Sequence, residues 1–295
     1  MFDYRYHALS LAAVLFALAV GLLIGVAIGD SSLVSSAKSG IVHDLSSELN
    51  GTRRKDEGLQ SKLSEADAFS AGLYPLAVHD LLLSRSVGLL FFGASSDEID
   101  GLARAAVEQA GASLATVAAV REPLELGPMA GLAAGTHFAG LSSSTSLLER
   151  FGEEIGRELV KGGPDTARDL LSREGSVLLS AFDGQLTRLE GLIVMRDDPA
   201  SMNPRQAEAT AALQSGLLAG VAAEGVPAVG VELTGTEPSQ VPWYKGERIS
   251  SVDDLDQQAG QAALIYALAG AAGAYGSKSS ANSLLPSVQA TSARP

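Results

Sequence analysis

Apolar residues along this chain are arranged in three ways in turn. Residues 8–28, ALSLAAVLFALAVGLLIGVAI, form an unbroken uncharged apolar run. Such a run is long enough to cross the roughly 30 Å hydrocarbon core of a bilayer as one helix. Residues 31–73 follow with apolar positions spaced alternately three and four apart: Val42, Leu45, Leu49, Leu59, Leu63, Ala66 and Leu73. That spacing predicts a helical stalk with a coiled-coil seam. Thr52, Asp56 and Ser70 interrupt the seam, and Asn50-Gly51 with Gly58 weaken helix, so either a break or a partner-dependent segment is expected near residues 50–58. A continuous stalk would span roughly 60 Å at 1.5 Å per residue.

Beyond Tyr74-Pro75 the pattern changes to short apolar runs separated by helical stretches. Strands are predicted at 87–92, 113–120, 177–181, 191–195 and 227–233. Helices are predicted at 99–110, 146–161, 204–223 and 251–270, with residues 121–140 read as loop. Helix starts carry local signals: Ser95-x-x-Glu98, Ser146-x-x-Glu149, Asn203-Pro204-x-Gln206 and Ser251-x-x-Asp254. The expected fold class is therefore α/β. A transmembrane helix at 8–29 and a coiled-coil stalk at 31–73 precede a doubly wound, Rossmann-like, mostly parallel sheet with flanking helices at 80–274. The Ser/Ala-rich residues 276–295 are expected to be a disordered tail.

Within the first run, Ala13, Ala17, Gly21, Gly25 and Gly29 recur every fourth residue. Five small side chains on one face allow two helix backbones to approach closely, so this face is read as a helix–helix interface. Arg5 and the amino end precede the run, and Asp30 follows it with no basic residue before Lys38. By the positive-inside rule, residues 1–7 are expected in the cytoplasm and the rest outside the cell membrane. A cleaved signal peptide stays open as an alternative, because Ala27-Ile28-Gly29 resembles a cleavage site.

Composition narrows the function. A net charge of −13, from 34 acidic and 21 basic residues, argues against nucleic acid as a partner. No cysteine is present, which removes disulfides and thiolate metal sites. The turn after the first strand, Gly93-Ala-Ser-Ser-Asp97, lacks the glycines of a dinucleotide site, and neither a GxxxxGK[ST] loop nor a GxSxG elbow occurs. The chain is read as not an enzyme. Thioether and imidazole ligands for copper(I) come down to Met195 and Met202, with Met129 or His137 beside them, and Met195 is equally read as core at a strand end. The acidic pair Asp197–Asp198 lies between a strand and a helix, where it assembles a hard-metal or acid/base centre, serves a partner, or charges the helix start. Trp243 and Tyr244 sit in a loop and either anchor a protein partner or fold back on the sheet.

Two groups of motifs carry a resemblance. One is Tyr6-His-Ala-Leu-Ser-Leu-Ala-Ala13 running into Ala19-Val-Gly-Leu-Leu-Ile-Gly25. The other is Ile249-Ser-Ser-Val-Asp-Asp-Leu-Asp256, Gly260-Gln-Ala-Ala-Leu-Ile-Tyr-Ala-Leu268 and Ala274-Tyr-Gly276. Over residues 1 to about 276 the chain resembles the MctB family of mycobacterial copper transport proteins, including SteB-type envelope proteins. The resemblance implies a membrane protein of copper homeostasis or export. Its SteB-type branch implies a non-catalytic envelope scaffold that regulates peptidoglycan hydrolysis and cell separation. The expected partners are the lipid bilayer, a second copy in a homodimer, and an envelope enzyme or membrane protein. Copper is implied by the resemblance alone, and no other cofactor is expected.

Overall fold

The computed structural model describes residues 4–29, 31–162, 177–197 and 202–287. The chain divides into two units, Met1–Asp67 and Ala68–Pro295. In the first unit, α1 (Tyr4–Ile28) contains the apolar segment His7–Ala27, and none of that segment is buried. Helix α2 (Ser31–Val78) begins there and runs without interruption through Asn50, Gly51 and Gly58. A break at 50–58 is therefore absent. Good helix formers on both sides outweigh the roughly 1 kcal/mol that each glycine costs. The helix also passes Pro75 and ends three residues later, so the hydrogen bond that a proline forfeits is lost only in the last turn.

The second unit is built on a seven-stranded sheet in the order β3-β2-β1-β4-β5-β6-β7. Its strands are β1 (Ser86–Phe92), β2 (Ser113–Val120), β3 (Leu179–Gly184), β4 (Gly191–Arg196), β5 (Ala228–Val231), β6 (Ser250–Val252) and β7 (Ala274–Tyr275). All neighbouring pairs are parallel except β2 with β3. Continuous apolar runs such as Val87–Phe92 arise because both faces of the sheet are covered. Leu90, Phe92, Val120, Leu192 and Val194 face one core with α4 (Leu126–Ala133), α5 (Thr145–Lys161), α6 (Pro204–Ala223) and α7 (Val241–Gly246). Leu89, Phe91, Ile193, Val229 and Val252 face the other, with α3 (Asp97–Gln109) and α8 (Gln258–Leu268).

Helices α5 and α6 meet through glycines. A Cβ on Gly156 would stand 2.1 Å from the Leu217 carbonyl oxygen, and one on Gly216 would stand 2.0 Å from that of Glu149. Cβ atoms on Gly220 and Gly152 would stand 2.1 Å and 2.5 Å from the opposite backbone. Only hydrogen fits at this crossing, which fixes how α5 lies on α6.

Several sequence expectations need correction. The helix caps at α3 and α5 are Ser96 and Ser144, whose hydroxyls accept from the N–H groups of Ile99 and Leu147. Asn203 and Gln206 form the expected reciprocal capping box at α6. Residues 126–133, read as loop, are helix α4. The last helix begins at Gln258, because Ser250–Val252 pairs with β5 as a strand.

Residues 276–287 are held in place, unlike the tail expected there; residues 288–295 lie outside the described residues. The N–H groups of Ser277 and Lys278 donate to Asp253, and Gly276 N–H donates to the Ser283 carbonyl. The Lys278 ammonium reaches Glu232 at 2.7 Å and the carbonyls of Leu233 and Thr236. Glu232 is 2% exposed. Serine-rich composition concealed this, since the anchoring carboxylates lie more than twenty residues upstream.

Candidate functional site

In parallel α/β sheets, ligands gather beyond strand carboxyl ends where successive connections leave for opposite faces. Here that point lies between β1 and β4. From β1 the chain passes to α3 in one core, and from β4 to α6 in the other. The Asp197 N–H donates to the Phe92 carbonyl at 3.0 Å, and the Gly93 N–H to that of Val120 at 3.1 Å. Gly93 has φ +101°. A Cβ there would meet the Asp197 Cβ at 3.2 Å and the Glu122 Oε2 at 3.8 Å. Glycine thus keeps this crevice open.

Three side chains line it from separate elements. Glu122 follows β2; its Oε1 accepts from the Gln214 amide of α6, while Oε2 is buried without a hydrogen-bond partner. Burial pushes the Glu122 carboxyl above the usual range. The Gln214 bond and the Arg196 charge pull it down, and Asp197 pushes it up again. The Arg196 guanidinium donates to the Gln240 side-chain oxygen and lies 4.9 Å from the Trp243 ring centroid, a cation–π arrangement. Its Nε is buried without a partner. Beside Glu122 opens a pocket of about 740 Å³, lined by Arg121, Glu125, Leu126 and Gln206 among others.

The crevice is poorly suited to phosphate. The α3 N-terminus that faces nucleotides in related architectures is already satisfied by Ser96, and its first turn carries Asp97, Glu98 and Asp100. The α6 N-terminus is closed by its capping box. These carboxylates repel anions where a nucleotide site needs free N–H groups. A ligand reaching Glu122 Oε2 would have to donate a hydrogen bond to it, and one reaching Arg196 Nε would have to accept.

The residues expected to bind metal are placed as follows. Met195 sits on β4, half-buried against the α3/α8 core. His137 is exposed on the other side of the sheet; its Nε2 lies 3.2 Å from Glu154 of α5, and its ring lies on Phe138, part of the α5/α6 core. The sheet therefore separates these two. Met202 is half-buried one residue before the Asn203 cap. Among the described residues, no group of three or more His, Cys, Asp or Glu is placed to hold a metal ion.

Of the partner candidates, Asp197 is exposed at the crevice and Asp198 lies outside the described residues. Tyr244 cannot serve as a surface anchor. It is fully buried, its hydroxyl donating to the Val231 carbonyl and accepting from the Arg196 N–H, each at 3.0 Å. Burial raises its pKa above the usual tyrosine range. Trp243 is half-buried, edge-on to Phe92 at 5.9 Å. The segment read as a loop is helix α7, which turns both rings onto the sheet.

In the first unit, Ala13, Ala17, Gly21, Gly25 and Gly29 stay exposed, and a Cβ on Gly21 or Gly25 would meet nothing within 4 Å. Leu45, Leu49, Leu59, Leu63 and Ala66 are likewise exposed, as is Leu73 in the second unit. The Val42 side chain lies outside those described.

Sequence patterns could not have found Glu122, Arg196 and Gln214 together, because no local motif links positions joined only by the fold. The Ile249–Asp256, Gly260 and Gly276 motifs do have a structural reason. Asp253 and Asp254 are buried between them, and a Cβ on Gly260 or Gly276 would stand 2.0 Å from the Asp254 carbonyl or the Asp253 carboxylate. Asp254 is driven up to about 6, first by burial and then by Asp253 and Asp256.

A family profile described as "Copper transport outer membrane protein, MctB" matches residues 1–286. The chain belongs to the MctB family. Proteins named "Copper transporter MctB" from Mycobacterium bovis and Mycobacterium tuberculosis are 28% identical to it over 295 residues, covering 91% of this chain and 92% of theirs. Among the described residues of this MctB-family chain, one helix, near the N-terminus, is long and apolar enough to cross a membrane, which fits a single-pass anchor. The seven strands form an open sheet buried on both faces, which differs from the closed, lipid-facing barrel of a spanning β-protein.

Proposed function

We propose that this chain is a single-pass membrane protein of copper homeostasis whose α1 helix tethers an α/β domain outside the cytoplasm. The observation that carries the reading is a family match running from the apolar helix to residue 286. Arg5 before α1 and Asp30 after it favour a cytoplasmic N-terminus. The role is non-catalytic and indirect. One span whose distinctive face is alanine and glycine offers no polar path for an ion, and Met195 and His137 lie on opposite sides of the sheet. The domain therefore acts on copper handling through protein contacts. Deleting the gene is expected to raise cell-associated copper and copper sensitivity, both restored by the full chain. Unchanged copper content would remove the reading.

A second reading is favoured by the exposed leucines of α2. In it the chain is an envelope scaffold that regulates peptidoglycan hydrolysis and cell separation through its helix and α/β domain. Affinity capture of the full chain from detergent would then recover an envelope hydrolase or its membrane regulator. A deletion strain with normal septal cell separation would count against it.

A further inference from the structure

From residue 45 to residue 67, α2 carries a seam that the first unit leaves uncovered. Leu45, Leu49, Leu59 and Leu63 are 57%, 57%, 65% and 63% exposed. In heptad terms, Leu49, Asp56 and Leu63 take the a positions, and Leu45, Thr52, Leu59 and Ala66 take d. The g positions are then Glu48, Lys55 and Lys62, and the e positions are Ser46, Arg53, Gln60 and Asp67.

Those flanking charges select one arrangement. In a parallel, in-register pair each g residue faces the e residue five positions on in the other helix. Glu48 then meets Arg53, Lys62 meets Asp67, and Lys55 meets the neutral Gln60. In antiparallel pairs g faces g and e faces e: the register that layers Leu49 on Leu59 sets Glu48 against Lys62 but also Lys55 against Lys55, and the next sets Lys55 against Lys62 beside Arg53 against Asp67, so only the parallel pair joins opposite charges with no like-charged flanking pair. We infer that α2 docks against α2 of a second copy of this chain, parallel and in register, with Glu48–Arg53 and Lys62–Asp67 pairs fixing the alignment.

The seam also contains its own weak layer. A parallel pair sets Asp56 beside Asp56, and like charges at an a position cost stability while the flanking leucines supply it. Asp56 is bracketed on its own helix by Arg53, Arg54, Lys55 and Glu57. The pairing does not depend on copper, so its test stands apart from the functional reading above.

The absence of native cysteine makes the test direct. In the full chain in detergent with oxidised glutathione, Leu59→Cys is expected to give a covalent dimer, and outward-facing Glu57→Cys is not. Glu48→Lys and Arg53→Glu should each weaken dimerisation roughly twofold to fivefold, as exposed ion pairs do, and together should restore it. Asp56→Leu should tighten the dimer roughly tenfold or more. A monomer in sedimentation, equal cross-linking at positions 57 and 59, or a charge-swapped double variant no stronger than its parents would overturn the proposal.

Discussion

Glycines four residues apart occur in α1 and again in α5 and α6, yet their surroundings differ completely. In the α/β unit, Gly152 and Gly156 lie against Gly216 and Gly220, with opposite backbone atoms 2.0 to 2.5 Å from where a Cβ would stand. In the first unit, Gly21, Gly25, Gly51 and Gly58 meet nothing within 4 Å. The same spacing is thus a completed contact in one region and an open face in the other. Removing Cβ atoms allows helix backbones to approach, but the partner decides whether the approach happens. In the α/β unit the chain supplies its own partner. In the first unit, a partner would have to come from the membrane or from another chain.

This contrast is tested first at the tight crossing. Gly156→Leu should unfold or strongly destabilise the α/β unit, by about 4 kcal/mol or more, because a backbone clash cannot be relieved by one rotamer change. Loss of the cooperative thermal transition is the readout. Next is Lys278, whose side chain is 14% exposed and paired with Glu232. Lys278→Met should cost about 3 kcal/mol by leaving a buried carboxylate without its cation, measurable by denaturant titration.

Asp254 provides a pH test. Its folded value of about 6 exceeds the ordinary 3.8, so the folded state holds this proton more tightly than the unfolded chain. Its stabilising share is complete below about pH 4, declines as pH rises to about 6, and is absent above that. Asp254→Asn should flatten that slope, worth about 2 to 3 kcal/mol across the window, as read from urea midpoints at several pH values.

The smallest effect lies in the open region. Gly58→Ala should stabilise α2 by about 1 kcal/mol and slow amide exchange around residue 58 roughly fivefold. A loss of stability there would show that α2 already packs against something at that glycine.

How much of this could be read from sequence follows the same division. Periodicity located α1 and α2 because each is one long helix whose exposed pattern needs no distant partner. The strands β1, β2 and β4 were visible because parallel strands buried on both faces are continuously apolar. Strand β6 reads from sequence as a helix start, since Ser251-x-x-Asp254 satisfies a cap rule locally, but pairing with β5 decides the outcome. The crevice was largely invisible: Glu122 and Gln214 are ninety-two positions apart. The folded segment 276–287 was missed for the same reason, as its anchors are Asp253 and Glu232.

The claim on which the account most depends is that α1 remains attached and holds the chain in a membrane. Alkaline carbonate washing of membranes from cells making the full chain, and separately residues 30–295, tests it directly when combined with N-terminal sequencing. The full chain should stay in the pellet with residues 4–28 intact, and the shortened chain should be released. A product of the full-length gene found in the supernatant, starting near residue 30, would contradict it.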